Sequence, residues 1–179
     1  VIPPEDQARF DALPEQYSHL FLAVGGELAA VICISDPVRE EAASVLAALR
    51  NMGISKTVML TGDSQRTAAS IAAQLGVDEF RAEVLPADKA QFVAQLRQEG
   101  HTVLMVGDGI NDWPALSEAD AGIAISDGAA LAREIADITI AADTLWELVE
   151  LRRIAMALMA RIHSNYRFVI GFNGGLIAL

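Results

Sequence analysis

The run Thr102-Val103-Leu104-Met105-Val106, followed at once by Gly107-Asp108-Gly109-Ile110-Asn111-Asp112, decides how the rest of the chain is read. Its first five residues are largely apolar and β-favouring, as in a strand buried on both faces. The next six break that strand with two glycines and set two carboxylates and an amide at its carboxyl end. In open α/β sheets that end is where ligands bind. Two carboxylates within five residues offer hard oxygen ligands, and Mg2+ takes only one or two of these besides water and phosphate oxygens. Asp-Gly pairs also make ordinary turns, but a hairpin is disfavoured because the segment leads toward a helix that admits Pro114 in its first turn.

Working outward, short strands are predicted at Lys56–Leu60, Phe80–Val84, Ala121–Ile125 and Ile138–Ala141. Helical periods at Val38–Met52, Ser64–Leu75 and Ala87–Gln98 alternate with them, and Gly53, Gly76 and Gly100 act as stops. Glu40 and Glu41 fall in the first turn of the first helix, where they suit its dipole. This alternation predicts an α/β fold: a doubly wound, mostly parallel sheet of Rossmann type with helices on both faces. Ahead of it, Leu20–Val24 and Leu28–Ile34 flank Gly25-Gly26-Glu27 and read as a hairpin. Residues 1–19, with Pro3, Pro4 and Pro14, read as a linker or the edge of a neighbouring domain. From Asp143 a long amphipathic helix carrying Arg152, Arg153, Arg161 and Arg167 runs into the apolar stretch Phe168–Leu179. That stretch covers about 18 Å as helix, against a bilayer core of ~30 Å. It reads either as half a membrane helix or as a helix packed in a soluble core.

Composition narrows the function. The 179 residues hold 13 Lys+Arg against 24 Asp+Glu, a net charge of −11, which excludes a nucleic-acid binder relying on clustered bases. At 53% hydrophobic and 21% charged the chain is too apolar for disorder. The single cysteine, Cys33, excludes a disulfide framework and a zinc module and fits a reducing compartment. The chain starts at Val1 without a signal-like segment, so a beginning inside a longer protein is expected.

Two further groups sit near predicted strand ends. Thr61-Gly62-Asp63 follows Lys56–Leu60 and precedes a helix, so a hydroxyl, close-approaching backbone N–H groups and a helix N-terminus make an oxyanion site. The same residues make an N-capping turn with Asp63 or Ser64 as cap. Lys89, in Pro86-Ala87-Asp88-Lys89, sits where an ammonium reaches a phosphate at neighbouring strand ends. Taken alone, such a lysine is solvated surface.

Together these segments resemble the haloacid dehalogenase superfamily and, within it, the heavy-metal-transporting branch of the P-type ATPases. Asp36-Pro37-Val38-Arg39, Thr61-Gly62-Asp63, Pro86-Ala87-Asp88-Lys89 and Gly107–Asp112 with Pro114-Ala115-Leu116 follow the family's order. Ala121–Ile125, Ala136-Asp137-Ile138 and Arg161 to Asn165 are similar to its later strands and to the stretch entering a membrane helix. The resemblance spans roughly Leu20 to Leu179. It implies that Thr61, Gly62 and Asp63 hold the phosphoryl group, Lys89 neutralises it, Asp108 and Asp112 serve Mg2+, and Asn111 and Asp112 orient the phosphate. Asp36 and Arg39 match a segment near the hinge to the nucleotide-binding domain and are the nucleotide-side candidates. Asn173 falls where copper-transporting members place metal-binding side chains, although Phe172 replaces their tyrosine.

The family's nucleophile is the aspartate of an Asp-Lys-Thr-Gly-Thr motif, and no such motif occurs in this sequence. The resemblance therefore implies a C-terminal share of a phosphorylation domain. Residues 1–19 end the nucleotide-binding insert, 20–145 form the domain without its first strand, and 146–179 form a connecting helix with the start of a membrane helix. The implied protein is an integral inner- or plasma-membrane ATPase that uses ATP and Mg2+ and moves a metal cation. This part would lie on the cytoplasmic side with the remaining domains, and would be inactive alone. Two alternatives stay open: a soluble phosphatase of the same superfamily, and a non-catalytic module that binds phosphate and Mg2+.

Overall fold

The computed structural model describes residues 8, 11–14, 17–34, 37–108, 111–125, 136–140 and 144–177. Strands β1 (Ser18–Val24) and β2 (Glu27–Ile34) pair antiparallel as a sheet of their own. Gly25 and Gly26 both take positive φ, 63° and 90°, which a tight hairpin turn needs and a side chain would oppose. Leu20, Phe21, Leu22 and Val24 are all exposed. Since neighbouring strand residues point to opposite faces, the ribbon is apolar on both.

The expected alternation follows: α1 (Ala42–Asn51), β3 (Val58–Leu60), α2 (Gln65–Leu75), β4 (Glu79–Arg81), α3 (Pro86–Gln98) and β5 (Leu104–Gly107). Then come α4 (Trp113–Glu118), β6 (Ala121–Ile125), β7 (Ile138–Ile140) and α5 (Trp146–Ile177). Every strand pair after the hairpin is parallel, with Met59 opposite Phe80, Val106 opposite Ile123, and Ala124 opposite both Gly107 and Thr139. The strands are divided, however, between a β3–β4 pair and a sheet of order β5-β6-β7. Helix α1 buries Val45 and Leu49 against Ile123 of β6 and Leu148 of α5, with Val106, Ile138 and Ile140 packed around them. This core fixes the strand whose end carries Asp108.

Three local expectations shift. Glu40 and Glu41 precede α1 rather than filling its first turn, because Ala42 N–H bonds to the Arg39 carbonyl at 3.0 Å in a tight turn. The Glu41 carboxylate instead accepts Leu145 N–H at 3.4 Å. Strand β4 stops at Arg81 and does not reach Val84, since Glu83 takes φ 55°, a left-handed conformation that ends an extended run. Helix α5 is not packed in a core beyond its first turns. Leu148 is buried and the Arg152 guanidinium bonds the Met52 carbonyl at 3.2 and 3.3 Å, but every residue from Arg153 to Ile177 is exposed. Among the described residues no helix is long and apolar enough to cross a membrane.

A polar knot ties α1 to the starts of β3 and β4. The Asp78 carboxylate accepts the Thr57 N–H and O–H, both at 2.7 Å, and Arg50 at 3.2 Å. Arg50 also donates to the Gly76 carbonyl at 2.6 Å. The Thr57 hydrogen bonds, more than Arg50, hold the Asp78 carboxyl at about 2, below its ordinary 3.8. A carboxyl held low stabilises the fold above its ordinary value, and that contribution is lost as pH falls through the folded one. The gap in melting temperature between wild type and Asp78→Asn, open near neutral pH, is therefore expected to close between about pH 4 and about pH 2. Thermal scans across that range check it, and a gap that stays constant would contradict the assignment.

Candidate functional site

Strand β3 delivers Thr61 at its carboxyl end. The Thr61 hydroxyl donates to the Asp63 carboxylate at 2.7 Å and accepts Asp63 N–H at 3.1 Å, closing a small loop. Ser64, not Asp63, caps α2: its hydroxyl accepts Thr67 N–H at 3.3 Å. A Cβ placed on Gly62 would meet the Val84 carbonyl only at 3.9 Å, an ordinary contact, and Gly62 has no positive φ. The fold itself does not demand glycine there; what the missing side chain provides is open approach to the backbone N–H groups of the loop.

The segment after β4 braces this loop. Glu83 N–H donates to the Asp63 carbonyl at 2.9 Å and Val84 N–H to the Thr61 carbonyl at 3.0 Å. Pro86 then opens α3 at a position that needs no N–H donor. One turn into α3, the Lys89 ammonium donates to Asp112 Oδ1 at 2.7 Å, with the two side chains only 13% and 15% exposed. The pair joins the first turn of α3 to the start of α4. Asp112 lies across Gly107, where an added Cβ would come within 2.5 Å of Asp112 Oδ2 and 2.7 Å of its Cβ.

Asp108 lies just past β5 and is exposed; Asn111 N–H approaches its Oδ1 at 3.4 Å. The two carboxylates thus sit in different surroundings: Asp112 is largely buried on Lys89, and Asp108 is exposed. Among the described residues no group of three or more His, Cys, Asp or Glu could hold a metal. Mg2+ takes one or two protein carboxylates and completes its shell with water and phosphate oxygens, so Asp108 with Asp112 is a donor set of the size that cation takes. Bound there, Mg2+ would supply positive charge against phosphoryl oxygens.

Of the sequence-predicted residues, the structure brings together Thr61 with Asp63, Lys89 with Asp112, and Asp108 with Asn111. Arg39 lies ahead of α1 with Glu41 at 4.0 Å. Asn173 is exposed on the far part of α5. Asp36, Gly109 and Ile110 lie outside the described residues. Sequence reasoning missed Glu83, because no local pattern announces a left-handed glutamate. It read Gly107 only as a strand break, although its steric role depends on where Asp112 folds back.

The chain is similar to a crystal structure of a zinc-transporting PIB-type ATPase in the E2.Pi state, with a TM-score of 0.78 and 35% identity over 96% of this chain and 28% of that one. It is 47% identical over 155 residues to a zinc-exporting P-type ATPase of Mycobacterium marinum, which covers 86% of this chain and 21% of that protein. To copper-transporting ATPase 2 of Rhizobium meliloti it is 41% identical over 160 residues, 89% of this chain and 19% of that protein. It thus spans about a fifth of the length of these curated relatives. The family described as haloacid dehalogenase-like hydrolase matches residues 4–120. With the parallel α/β core and the loop residues at its strand ends, this match places the chain in that family: it belongs to the haloacid dehalogenase-like hydrolases.

Proposed function

We propose that this chain forms the phosphate- and Mg2+-binding side of the aspartyl-phosphate site in a metal-cation-transporting P-type ATPase. The observation that carries the reading is the nearly buried Lys89–Asp112 pair at 2.7 Å, set beside an outward-facing Asp108. A phosphoryl group arriving there meets the Lys89 ammonium, a cation at Asp108 and the N–H groups of the Thr61–Asp63 loop. Phosphoryl transfer needs little else from a protein besides the nucleophile. Asn111 and Asp112 orient the phosphate, and Asp36 and Arg39 serve the nucleotide side.

The acceptor aspartate is supplied from outside these 179 residues. Among the described residues, both strands that carry site loops, β3 and β5, pair along one edge, with β4 and β6 respectively. A first strand bearing the acceptor and seated between them would join the two parallel sheets and bring its aspartate to the same end. The hairpin, apolar on both faces, is surface for an upstream nucleotide-binding domain to cover. Helix α5, anchored through Arg152 to Met52, would carry rotation of this domain toward the membrane, with Asn173 a candidate on the transport path. The protein would act at an inner or plasma membrane with this part on the cytoplasmic side, taking ATP as substrate.

The test is phosphorylation by γ-labelled ATP with Mg2+. The full-length protein is expected to form an acid-stable phosphoenzyme, and the 179-residue chain none. Label on the chain alone would place the nucleophile within it and overturn the reading, as would an unlabelled but otherwise active full-length protein.

A further inference from the structure

Among the described residues the positive φ angles belong to Gly25, Gly26, Gly53, Gly76 and Gly100, and to one residue with a side chain, Glu83, at 55°. A left-handed backbone crowds an L side chain against the following carbonyl, whereas glycine adopts it freely. Nothing about the Glu83 side chain offsets that strain: it is exposed, and its carboxylate has no hydrogen-bond or ion-pair partner among the described residues. The path of the backbone is therefore what the strain maintains, and strain of this kind collects at functional sites.

The register between β3 and β4 shows what that path does. Leu60 lies opposite Arg81, and Thr61 N–H donates to the Arg81 carbonyl at 3.0 Å. A regular parallel ladder would next have the Thr61 carbonyl accept the N–H of Glu83. It accepts Val84 N–H instead, at 3.0 Å. One extra residue has entered the β4 side, as in a β-bulge, and Glu83 is that residue. Its left-handed turn takes its own N–H out of the ladder and onto the Asp63 carbonyl at 2.9 Å. Thr61 and Asp63 are thus both held from the β4 side, with Gly62 between them. Two residues past the bulge, the Leu85 carbonyl accepts Lys89 N–H at 3.1 Å, so the same elbow sets where α3 begins and where Lys89 stands. Resting on the phosphate-binding role proposed above, we infer that Glu83 is a positioning residue: the bulge it forms holds the Thr61–Asp63 loop and the start of α3 in the arrangement that receives the phosphoryl group. It acts through its backbone, and its carboxylate is dispensable.

The experiment is steady-state ATP hydrolysis by the full-length protein, with inorganic phosphate as the inhibitor that probes the site. Glu83→Val puts a β-branched side chain where φ is positive. It is expected to raise the half-inhibiting phosphate concentration about tenfold and to lower kcat about tenfold, with KM for ATP changed less than about twofold. Glu83→Gly and Glu83→Asn, which accept the left-handed turn without the carboxylate, should keep all three values within about twofold of wild type. A mere loss of folded molecules would lower the maximal rate and leave the half-inhibiting concentration where it was. If Glu83→Val does not fold, Glu83→Ala takes its place, with an expected shift of about threefold against Glu83→Gly. A folded Val variant, or the Ala variant in its stead, that phosphate inhibits as it does wild type overturns the inference. So does a Gly or Asn variant that falls as far as Val, because the carboxylate would then be the acting group. A wild-type protein that hydrolyses ATP but is not inhibited by phosphate would instead remove the phosphate site itself, and the positioning role with it.

Discussion

Asp108→Asn in the full-length protein is expected to lower Mg2+-dependent ATP hydrolysis on the order of a thousandfold while leaving the fold unchanged. The asymmetry between the two carboxylates of the Gly107–Asp112 loop is the reason. Asp112 has its Oδ1 on Lys89 at 2.7 Å and is largely buried, so its charge is already balanced by a protein cation. Asp108 is exposed at the end of β5, where a hydrated Mg2+ can take a carboxylate oxygen without first breaking the Lys89–Asp112 pair. Asparagine keeps the shape and one carbonyl oxygen but removes the negative charge that favours a divalent cation. ATP hydrolysis measured against Mg2+ concentration, alongside the melting temperature, separates the outcomes. Activity retained with normal Mg2+ dependence would remove Asp108 from the metal site, and activity lost together with stability would make it a structural residue.

Much of this architecture was legible because the signals are local. Ser64 caps α2 and Gly76 ends it; Pro86 opens α3; Ala121–Ile125 is a strand with the bounds that its apolar run predicts. What was not legible depends on residues distant in sequence. Nothing in Lys56–Leu60 or Thr102–Val106 says which strand lies beside it, and only the hydrogen bonding shows the parallel strands sorted into two groups. Glu41 reads as a dipole-stabilising acid until Leu145, 104 residues away, claims its carboxylate. Phe80–Val84 reads as strand through to Val84, but Glu83 and Val84 spend their N–H groups on the Thr61–Asp63 loop, and that demand turns the chain. The site shows the same division. Thr61, Lys89, Asp108 and Asp112 are named by motif order, yet only the fold shows that Asp112 is largely buried on Lys89 while Asp108 is exposed.

Gly107→Ala is expected to destabilise the chain by about 1–3 kcal/mol, the usual cost of forcing extra volume into a packed site. The glycine allows Asp112 to fold back across the end of β5. A Cβ at position 107 would come within 2.7 Å of the Asp112 Cβ as well as 2.5 Å of its Oδ2, so a rotation of the carboxylate alone cannot relieve the clash. The root of the Asp112 side chain must move, and with it the 2.7 Å bond to Lys89. Breaking a nearly buried ion pair by removing one partner costs about 3–5 kcal/mol, so Lys89→Met should destabilise more than Gly107→Ala, because it leaves the Asp112 charge in place without its cation. A double-mutant cycle isolates the steric part. In an Asp112→Gly background the side chain that meets the new Cβ is gone, and Gly107→Ala should cost little beyond that variant's own loss of the Lys89 pair. Denaturant unfolding of the four proteins measures this coupling. If Gly107→Ala costs the same with and without the Asp112 side chain, the glycine is required for some reason other than the room it leaves Asp112.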